Sequence, residues 1–299
     1  MFCGKWGYDY SEMDKWINVT GGKGGNSYLV LGDKKTALVD CGMAYCASNL
    51  INNVKRILDS SALDYVFVSH SHYDHIGAVP YLREEWPNII VCGTDYDKNI
   101  LNRYNALKAI KKLSLQAAKI YNNGTFKDYD DAMMKIDTVI SDGDIINLGG
   151  LSIRAIETPG HTKCTLSFLL NNEILFASES TGYMTKSGDI HHAFLISYAK
   201  TIESIIICGK INPKFIISPH FGLVDKRYTL TYWQNSIASA RKIRDFILNL
   251  VKLGYGEEII LSEYEKMFRD EEIQLEQPIN AFCLNTKSMI KAVLKESLD

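Results

Sequence analysis

The stretch VFVSHSHYDHIGAVPYL, residues 66–82, places three of the chain's seven histidines within six residues. A run of strand-forming residues leads directly into His70, His72, Asp74 and His75. Residues two apart at a strand end project to the same side, so His70 and His72 can present their imidazoles to one point. Asp74 and His75 lie where the chain turns and can aim at a neighbouring point. Imidazole and carboxylate together are ligands of zinc, iron or manganese, so this spacing predicts a metal site; hydrogen-bonded surface histidines are the alternative.

Three more residues stand where further ligands would be needed. His161 lies in ETPGHTKC, a Pro-Gly turn between two predicted strands, and His220 in ISPHFG follows a strand directly. Glu179, in LFASES, ends another predicted strand. Strand ends on one edge of a sheet converge, so these loops are expected to share a site.

The composition narrows the class of protein. A chain of 299 residues with 46% hydrophobic residues is long enough for a sizeable core. The formal net charge is −2 and there is no basic block, so no nucleic-acid partner is predicted. No apolar run approaches the roughly 18 residues of a membrane span, and the N-terminus lacks the apolar region of a signal peptide. We therefore predict a cytoplasmic protein without a membrane partner, whose seven cysteines are mostly reduced, buried thiols.

The order of elements predicts an α/β fold. Strands and helices alternate from residue 28 to residue 93, which is typical of sheets covered by helices. A single long amphipathic helix is predicted over 97–121, with a strand-rich region and a helix around 199–208 beyond it. From about Thr231 three helical segments follow without a strand. We predict a metal-binding core over 1–230 and an all-α extension over 231–299.

The motifs HSHYDH, TPGHT, LFASE and SPHFG, in that order, resemble the metallo-β-lactamase superfamily of hydrolases, and the resemblance covers roughly residues 25–225. It implies a four-layer αβ/βα sandwich with a binuclear metal site at one edge. Carried over by motif position, it implies a first metal bound by His70, His72 and His161, and a second bound by Asp74, His75 and His220.

Two further positions bear on that site. Asp40, in LVDCG, matches an acid that supports the family's site from behind, and a turn or cap residue is the alternative. The family usually has Gly-Asp where this chain has Ser178 and Glu179, and that Asp bridges both metals. Because Glu is one methylene longer, the resemblance leaves the geometry of the second metal open.

The predicted activity is hydrolysis by a metal-bound hydroxide, with two divalent ions, zinc first and iron or manganese as alternatives. Asp74 would also orient the nucleophile. The helical tail resembles those of glyoxalase II and of the thioesterase that serves alkylquinolone signalling, which favours a small-molecule ester or thioester substrate. In such a protein the extension covers the active site, and aromatic and apolar tail residues could line its roof, with helix–helix packing as the alternative for each: Tyr232, Trp233, Ile237, Phe246 and Met267.

Other functional interpretations are compatible with the sequence. One is a metal-bound regulatory or ligand-binding protein with weak, incidental hydrolysis; another is a phosphodiesterase or lactonase of the same fold. His191 and His192 either face the pocket or form an exposed loop pair. A homodimer is compatible with the sequence.

Overall fold

A computed structural model describes residues 15–122 and 124–298. The chain divides into two compact units, the first running up to Ile156 with Phe168–Asn171 added, the second comprising Glu157–Ser167 and the chain from Asn172 onward. The boundary predicted at residue 230 divides the chain differently, into a core and a C-terminal extension. That boundary stays a prediction.

Fourteen strands lie within the described residues: β1 Trp16–Asn18, β2 Tyr28–Leu31, β3 Thr36–Val39, β4 Tyr65–Phe67, β5 Ile90–Gly93, β6 Thr138–Val139, β7 Ile145–Asn147, β8 Ser152–Glu157, β9 Leu166–Leu170, β10 Ile174–Phe176, β11 Tyr183–Met184, β12 Ile190–His191, β13 Phe215–Ser218 and β14 Gly222–Leu223.

Eleven α-helices lie in the same part of the chain: α1 Ala47–Leu58, α2 Tyr73–Ile76, α3 Val79–Glu85, α4 Asp95–Leu101, α5 Tyr104–Tyr121, α6 Tyr198–Ile211, α7 Lys226–Thr229, α8 Tyr232–Lys252, α9 Glu257–Phe268, α10 Glu271–Glu276 and α11 Ile279–Glu296. Short 3-10 turns occupy Ala44–Cys46, Asp131–Met133 and Glu179–Thr181.

The first unit contains a six-stranded sheet in the order β1-β2-β3-β4-β5-β6. The first three strands pair antiparallel, and β3 to β6 pair parallel, with Val39 opposite Phe67 and Phe67 opposite Cys92. Parallel strands need both faces covered, and helix α1 supplies cover by burying Leu50 and Val54. The strand–helix alternation predicted for residues 28–93 is confirmed.

The single helix predicted over 97–121 is wrong, because two helices meet at Asn102 and Arg103. Leu101 at the end of α4 and Ile110 in α5 both belong to the same apolar core. Nine residues apart, they would lie on opposite sides of one straight helix. The break lets both side chains enter the core.

In the second unit, β10 pairs parallel to β13, with Ile174 opposite Phe215, and β14 pairs antiparallel to β13. The carboxyl ends of β10 and β13 therefore lie at the same edge. The apolar core of this unit combines Tyr183 and Phe194 with residues of α8, α9, α10 and α11. The prediction of three helical segments after residue 231 missed α10, which is only six residues long.

None of the helices in residues 15–122 and 124–298 is both long and apolar enough to cross a membrane. The six cysteines in that part of the chain are free thiols, five of them buried and Cys283 half-buried. Cys3 lies outside the described residues.

Candidate metal centre

In the first unit, the motif HSHYDH runs from the loop after β4 into helix α2, and the segment is called the HSHYDH loop below. His70 and His75 are buried, and Asp74 lies in the first turn of α2. The Nε2 atom of His70 lies 2.9 Å from Nδ1 of His72, and the rings of His70 and His75 are 4.3 Å apart. Asp74 Oδ2 lies 3.9 Å from His75 Nε2. The four predicted ligands of this loop therefore lie close together.

Asp40 stands behind this loop at the end of β3, in the supporting position that the resemblance implies. Its carboxylate accepts hydrogen bonds from Ser69 N at 2.7 Å and from Ser69 Oγ at 2.8 Å. His75 Nδ1 donates to the same carboxylate at 2.8 Å. Three contacts thus fix the loop and the ring of His75 to one buried acid.

In the second unit, His161 follows the Pro-Gly turn and is buried. Its backbone N–H donates to Ser180 Oγ at 2.9 Å, and its Nδ1 donates to the carbonyl of Ala193 at 2.5 Å. Gly160 adopts a φ of +139°, and a Cβ there would lie 2.2 Å from Oγ1 of Thr201. The turn can deliver His161 only with glycine at this position.

Glu179 and His220 follow β10 and β13, the parallel pair, and so emerge at one sheet edge. His220 Nε2 lies 3.3 Å from Glu179 Oε1. Ser178, where the family usually has Gly, is also buried, and its hydroxyl lies 2.9 Å from Oγ1 of Thr158 and 3.2 Å from Oγ of Ser167. The second unit therefore accommodates both departures from the family pattern, Ser178 by burying its hydroxyl in a polar cluster and Glu179 by placing its carboxylate beside His220.

A residue that the sequence did not predict, Glu276 of α10, contacts His220 from its other side, with Oε1 3.1 Å from Nδ1. Burial lowers the pKa of His220, but hydrogen bonds and charge from Glu179 and Glu276 outweigh it and raise the pKa to about 10. The segment DEEIQLE has the acidic first turn that is typical of many helices, and no local signal connects it to a histidine 56 residues earlier.

His191 and His192 do not form an exposed loop pair, so that alternative is wrong. His192 is buried and its Nε2 lies 2.9 Å from the carbonyl of Ser236, and burial lowers its pKa to about 3. His191 is half-buried, with Nε2 3.2 Å from Asp270 Oδ2. His192 is a neutral structural residue. Among the predicted roof residues, Tyr232 is buried and donates to the carbonyl of Gly182, whereas Met267 is 57% exposed.

The donor chemistry fits a divalent cation. In His75, His161 and His220, a carboxylate or carbonyl oxygen of the protein holds Nδ1. With the Nδ1 proton fixed in this way, Nε2 is the ring nitrogen that offers its lone pair, which is the arrangement of metal-binding histidines in proteins. Asp74 adds a carboxylate in the first unit and Glu179 adds one in the second, and nitrogen and oxygen donors of this kind suit zinc, iron or manganese.

Comparison with known proteins identifies the class. The sequence profile of the metallo-beta-lactamase superfamily matches residues 20–220. This is more than half of the chain, and the chain belongs to that superfamily of metal-dependent hydrolases. The α/β fold class with a C-terminal helical region, predicted from the sequence, is confirmed.

Particular relatives follow from the same comparisons. The metallo-beta-lactamase fold-containing protein ST1585 of Sulfurisphaera tokodaii is 26% identical over 205 residues, which is 67% of this chain and 74% of that protein. Its crystal structure has a TM-score of 0.60 at 22% identity, covering 94% of this chain and 98% of that one. That likeness shows the fold.

Two other relatives carry names that describe a reaction. The atrochrysone carboxyl ACP thioesterase of Emericella nidulans and a hydroxyacylglutathione hydrolase of Xylella fastidiosa are each 28% identical over 152 residues, 51% of this chain. The aligned regions span only 38% and 43% of those proteins.

Proposed function

We propose that this chain is a binuclear metal-dependent hydrolase of small-molecule esters or thioesters. His70, His72 and His161 would hold one divalent cation, Asp74, His75 and His220 would hold a second, and Glu179 would supply a further carboxylate ligand. Zinc suits this donor set first, with iron and manganese as alternatives.

The proposal rests on one feature that histidines of both units have in common, a hydrogen bond from Nδ1 to an oxygen of the protein. Each of His75, His161 and His220 has its Nδ1 held by an oxygen of the protein, which costs conformational freedom and orients Nε2. Support at Nδ1 is expected for an imidazole that binds a cation through Nε2. In the structural His192 a protein oxygen contacts Nε2 instead, so hydrogen bonding at Nδ1 distinguishes the three candidate ligands from it.

The residues of the candidate site would have different roles in hydrolysis. Cations bound by these ligands would supply Lewis-acid chemistry, lowering the pKa of water and stabilising charge on the substrate oxygen. Asp74, half-buried beside His75, would orient the attacking water through its carboxylate. Asp40 keeps the HSHYDH loop and the His75 ring in place while charge develops. No serine or cysteine nucleophile is needed, and Ser69 is already engaged by Asp40.

The substrate class is supported by the two relatives whose names describe the hydrolysis of acyl compounds, an acyl carrier protein thioesterase and a hydroxyacylglutathione hydrolase. Ester and thioester cleavage share a tetrahedral, negatively charged transition state, which the same cations and ligands would stabilise.

The test combines metal analysis with a panel of thioester, open-chain ester, lactone and phosphodiester substrates. We expect two metal ions per chain, turnover of a thioester or ester above the other classes, and loss of both metal and turnover in His70→Ala. Preferred turnover of a phosphodiester would overturn the substrate class. Full metal content with negligible turnover of every substrate, together with tight binding of one small molecule, would favour a regulatory protein, a reading to which the replacement of Asp by Glu179 gives weight.

A further inference from the structure

Helix α10 brings three carboxylates to polar groups of the second unit. Asp270 Oδ2 lies 3.2 Å from His191 Nε2, and the Oε2 atom of Glu272 accepts from Lys186 N at 2.7 Å. Glu276, at the end of the helix, lies 3.1 Å from His220 Nδ1. Of these three contacts, only that of Glu276 reaches a candidate metal ligand.

The chain places Glu276 there by a simple repeat. Asp270 caps the helix by accepting from Ile273 N at 2.9 Å, and Ile273 is buried in the apolar core of the unit. Residues three and four apart share a face of a helix, so Glu276 lies on the same side as both Ile273 and Glu272. Burial of Ile273 therefore fixes which carboxylates face the protein.

His220 consequently sits between two acids with different tasks. Glu179 Oε1 lies 3.3 Å from Nε2, and Glu276 Oε1 lies 3.1 Å from Nδ1, so the acids contact different nitrogens of one ring. The side chain of Glu276 is 18% exposed and that of Glu179 only 3%. An acid against Nδ1 can orient the ring and strengthen Nε2 as a donor, but it is not itself at the Nε2 side.

We propose that Glu276 is the positioning residue for His220, supplied by a helix near the C-terminus, and that it sets the affinity of the second metal. This inference rests on the proposed function, because it assigns His220 as a metal ligand. It adds that α10 contributes directly to the metal site, through a carboxylate that contacts a ligand and not the cation.

The test uses the full-length protein and zinc. Wild type is compared with Glu276→Gln and with two controls on the same helix, Glu271→Gln and Glu272→Gln. Glu271 is exposed, so Glu271→Gln removes one negative charge without removing a contact to the second unit. Glu272→Gln removes the same charge and also perturbs a contact that docks the helix. Zinc affinities of the first and second equivalents are measured by chelator competition, and the melting temperature is measured with and without zinc.

We expect Glu276→Gln to weaken the second equivalent by about 10- to 100-fold, with the first equivalent unchanged. The metal-free melting temperature should fall, because the His220 ring loses its contact with a carboxylate, and the rise caused by zinc should become smaller. The absorption spectrum of the protein loaded with two cobalt ions should also change, since it reports the geometry at the second site. Both controls should keep the zinc affinities and the cobalt spectrum of wild type, although Glu272→Gln should lower the metal-free melting temperature because it also loses a contact.

Three results would overturn this inference. Unchanged zinc affinity in Glu276→Gln would do so while leaving the proposed function intact, provided that His70→Ala still removes metal. An equal loss in Glu272→Gln would assign the effect to helix docking and not to Glu276. Failure of wild type to bind any zinc, iron or manganese would overturn both the inference and the proposed function.

Discussion

Asp40 shows how one backbone angle prepares a site. Its φ is +53°, a left-handed conformation that aspartate tolerates better than most residues. This conformation ends β3, and the carboxylate meets both Ser69 and His75. A residue that looks like an ordinary turn former in the sequence thus supports the loop that carries the candidate metal ligands.

Replacing Asp40 by alanine should weaken both metal binding and the fold. The donors of Ser69 and His75 would lose a buried acceptor, at a cost of about 1–3 kcal/mol in the free energy of unfolding. Metal affinity should fall about 10- to 100-fold. Urea denaturation of the metal-free protein and chelator competition measure the two effects. Asp33→Ala, in a turn of the same unit, is the control, and an Asp40→Ala protein with unchanged affinity would refute the supporting role.

Glu179→Asp tests whether the chain is adapted to its longer acid. The Glu179 carboxylate already lies 3.3 Å from Nε2 of His220, so a side chain one methylene shorter would withdraw by about 1.5 Å. We expect lower occupancy of the second metal, measured by elemental analysis after dialysis. Higher occupancy in the aspartate variant would mean that Glu179 is a handicap.

His220 gives the metal-free protein a pH dependence. Its folded pKa of about 10 lies above the unfolded value of about 6.5, so its stabilising contribution is complete below pH 6.5 and is lost as the pH rises towards 10. Between pH 7 and 8.5, wild type should lose stability relative to His220→Gln by up to about 1.4 kcal/mol per pH unit. Urea denaturation curves in the presence of a chelator measure this difference. Parallel pH profiles for the two proteins would contradict it.

At this scale, the sequence predicts residues whose chemistry is local. Four candidate ligands can be recognised in the sequence because they lie within six residues: His70, His72, Asp74 and His75. Glu276 does not, since its partner is distant in sequence and its own surroundings are those of any acidic helix start. Contacts of that kind depend on tertiary packing.

Among the elements, the turn before His161 is the most sharply constrained. Gly160 and Gly124 have similar positive φ angles, +139° and +146°, but only Gly160 is enclosed, with Thr201 Oγ1 2.2 Å from the position of a Cβ. Nothing lies within 4 Å of a Cβ at Gly124. A comparison of alanine substitutions at the two glycines therefore separates the effect of backbone strain from the effect of crowding.

Gly160→Ala should destabilise the fold by about 1–3 kcal/mol more than Gly124→Ala, because crowding adds to the same backbone strain. It should also lower the metal content, since His161 would move with its turn. Urea denaturation and elemental analysis of both variants check this. Equal stability in the two alanine variants would mean that Thr201 can move away from the new Cβ with little loss of folding free energy.

Element prediction succeeded where periodicity is long or strand-forming residues are bounded by turns, as in β2 and α1. It failed at the α4–α5 break, where no Gly or Pro marks the interruption and the burial of Leu101 and Ile110 decides it. It also missed α2 and α10, which are too short for a period to emerge. Tertiary burial, not local propensity, forms these elements.

For the whole molecule, the C-terminal helices belong to a shared core. Ile243 of α8, Ile260 of α9 and Ile290 of α11 lie in one apolar cluster with Tyr183 and Phe194. The sequence predicted the helices and their all-α character, but it could not tell an added cover from an integral part of the fold. Which residues share a core is decided by packing across more than a hundred positions of the chain.

Truncation after residue 230 should therefore abolish folding of the second unit and not merely relax substrate choice. Removal of the helices would expose the apolar faces of Tyr183 and Phe194, and large exposed apolar patches lead to aggregation. Size-exclusion chromatography and circular dichroism of the truncated chain test this. A monomeric truncated protein that retains metal would show that the helices are an accessory.

The central claim, that these seven side chains hold a pair of divalent cations, is tested most directly by anomalous diffraction from crystals of the metal-loaded protein. We expect two anomalous peaks, the first in contact with His70, His72 and His161, the second with Asp74, His75 and His220, and Glu179 touching both. Crystals soaked in zinc, iron or manganese that show no peak among these residues would contradict it.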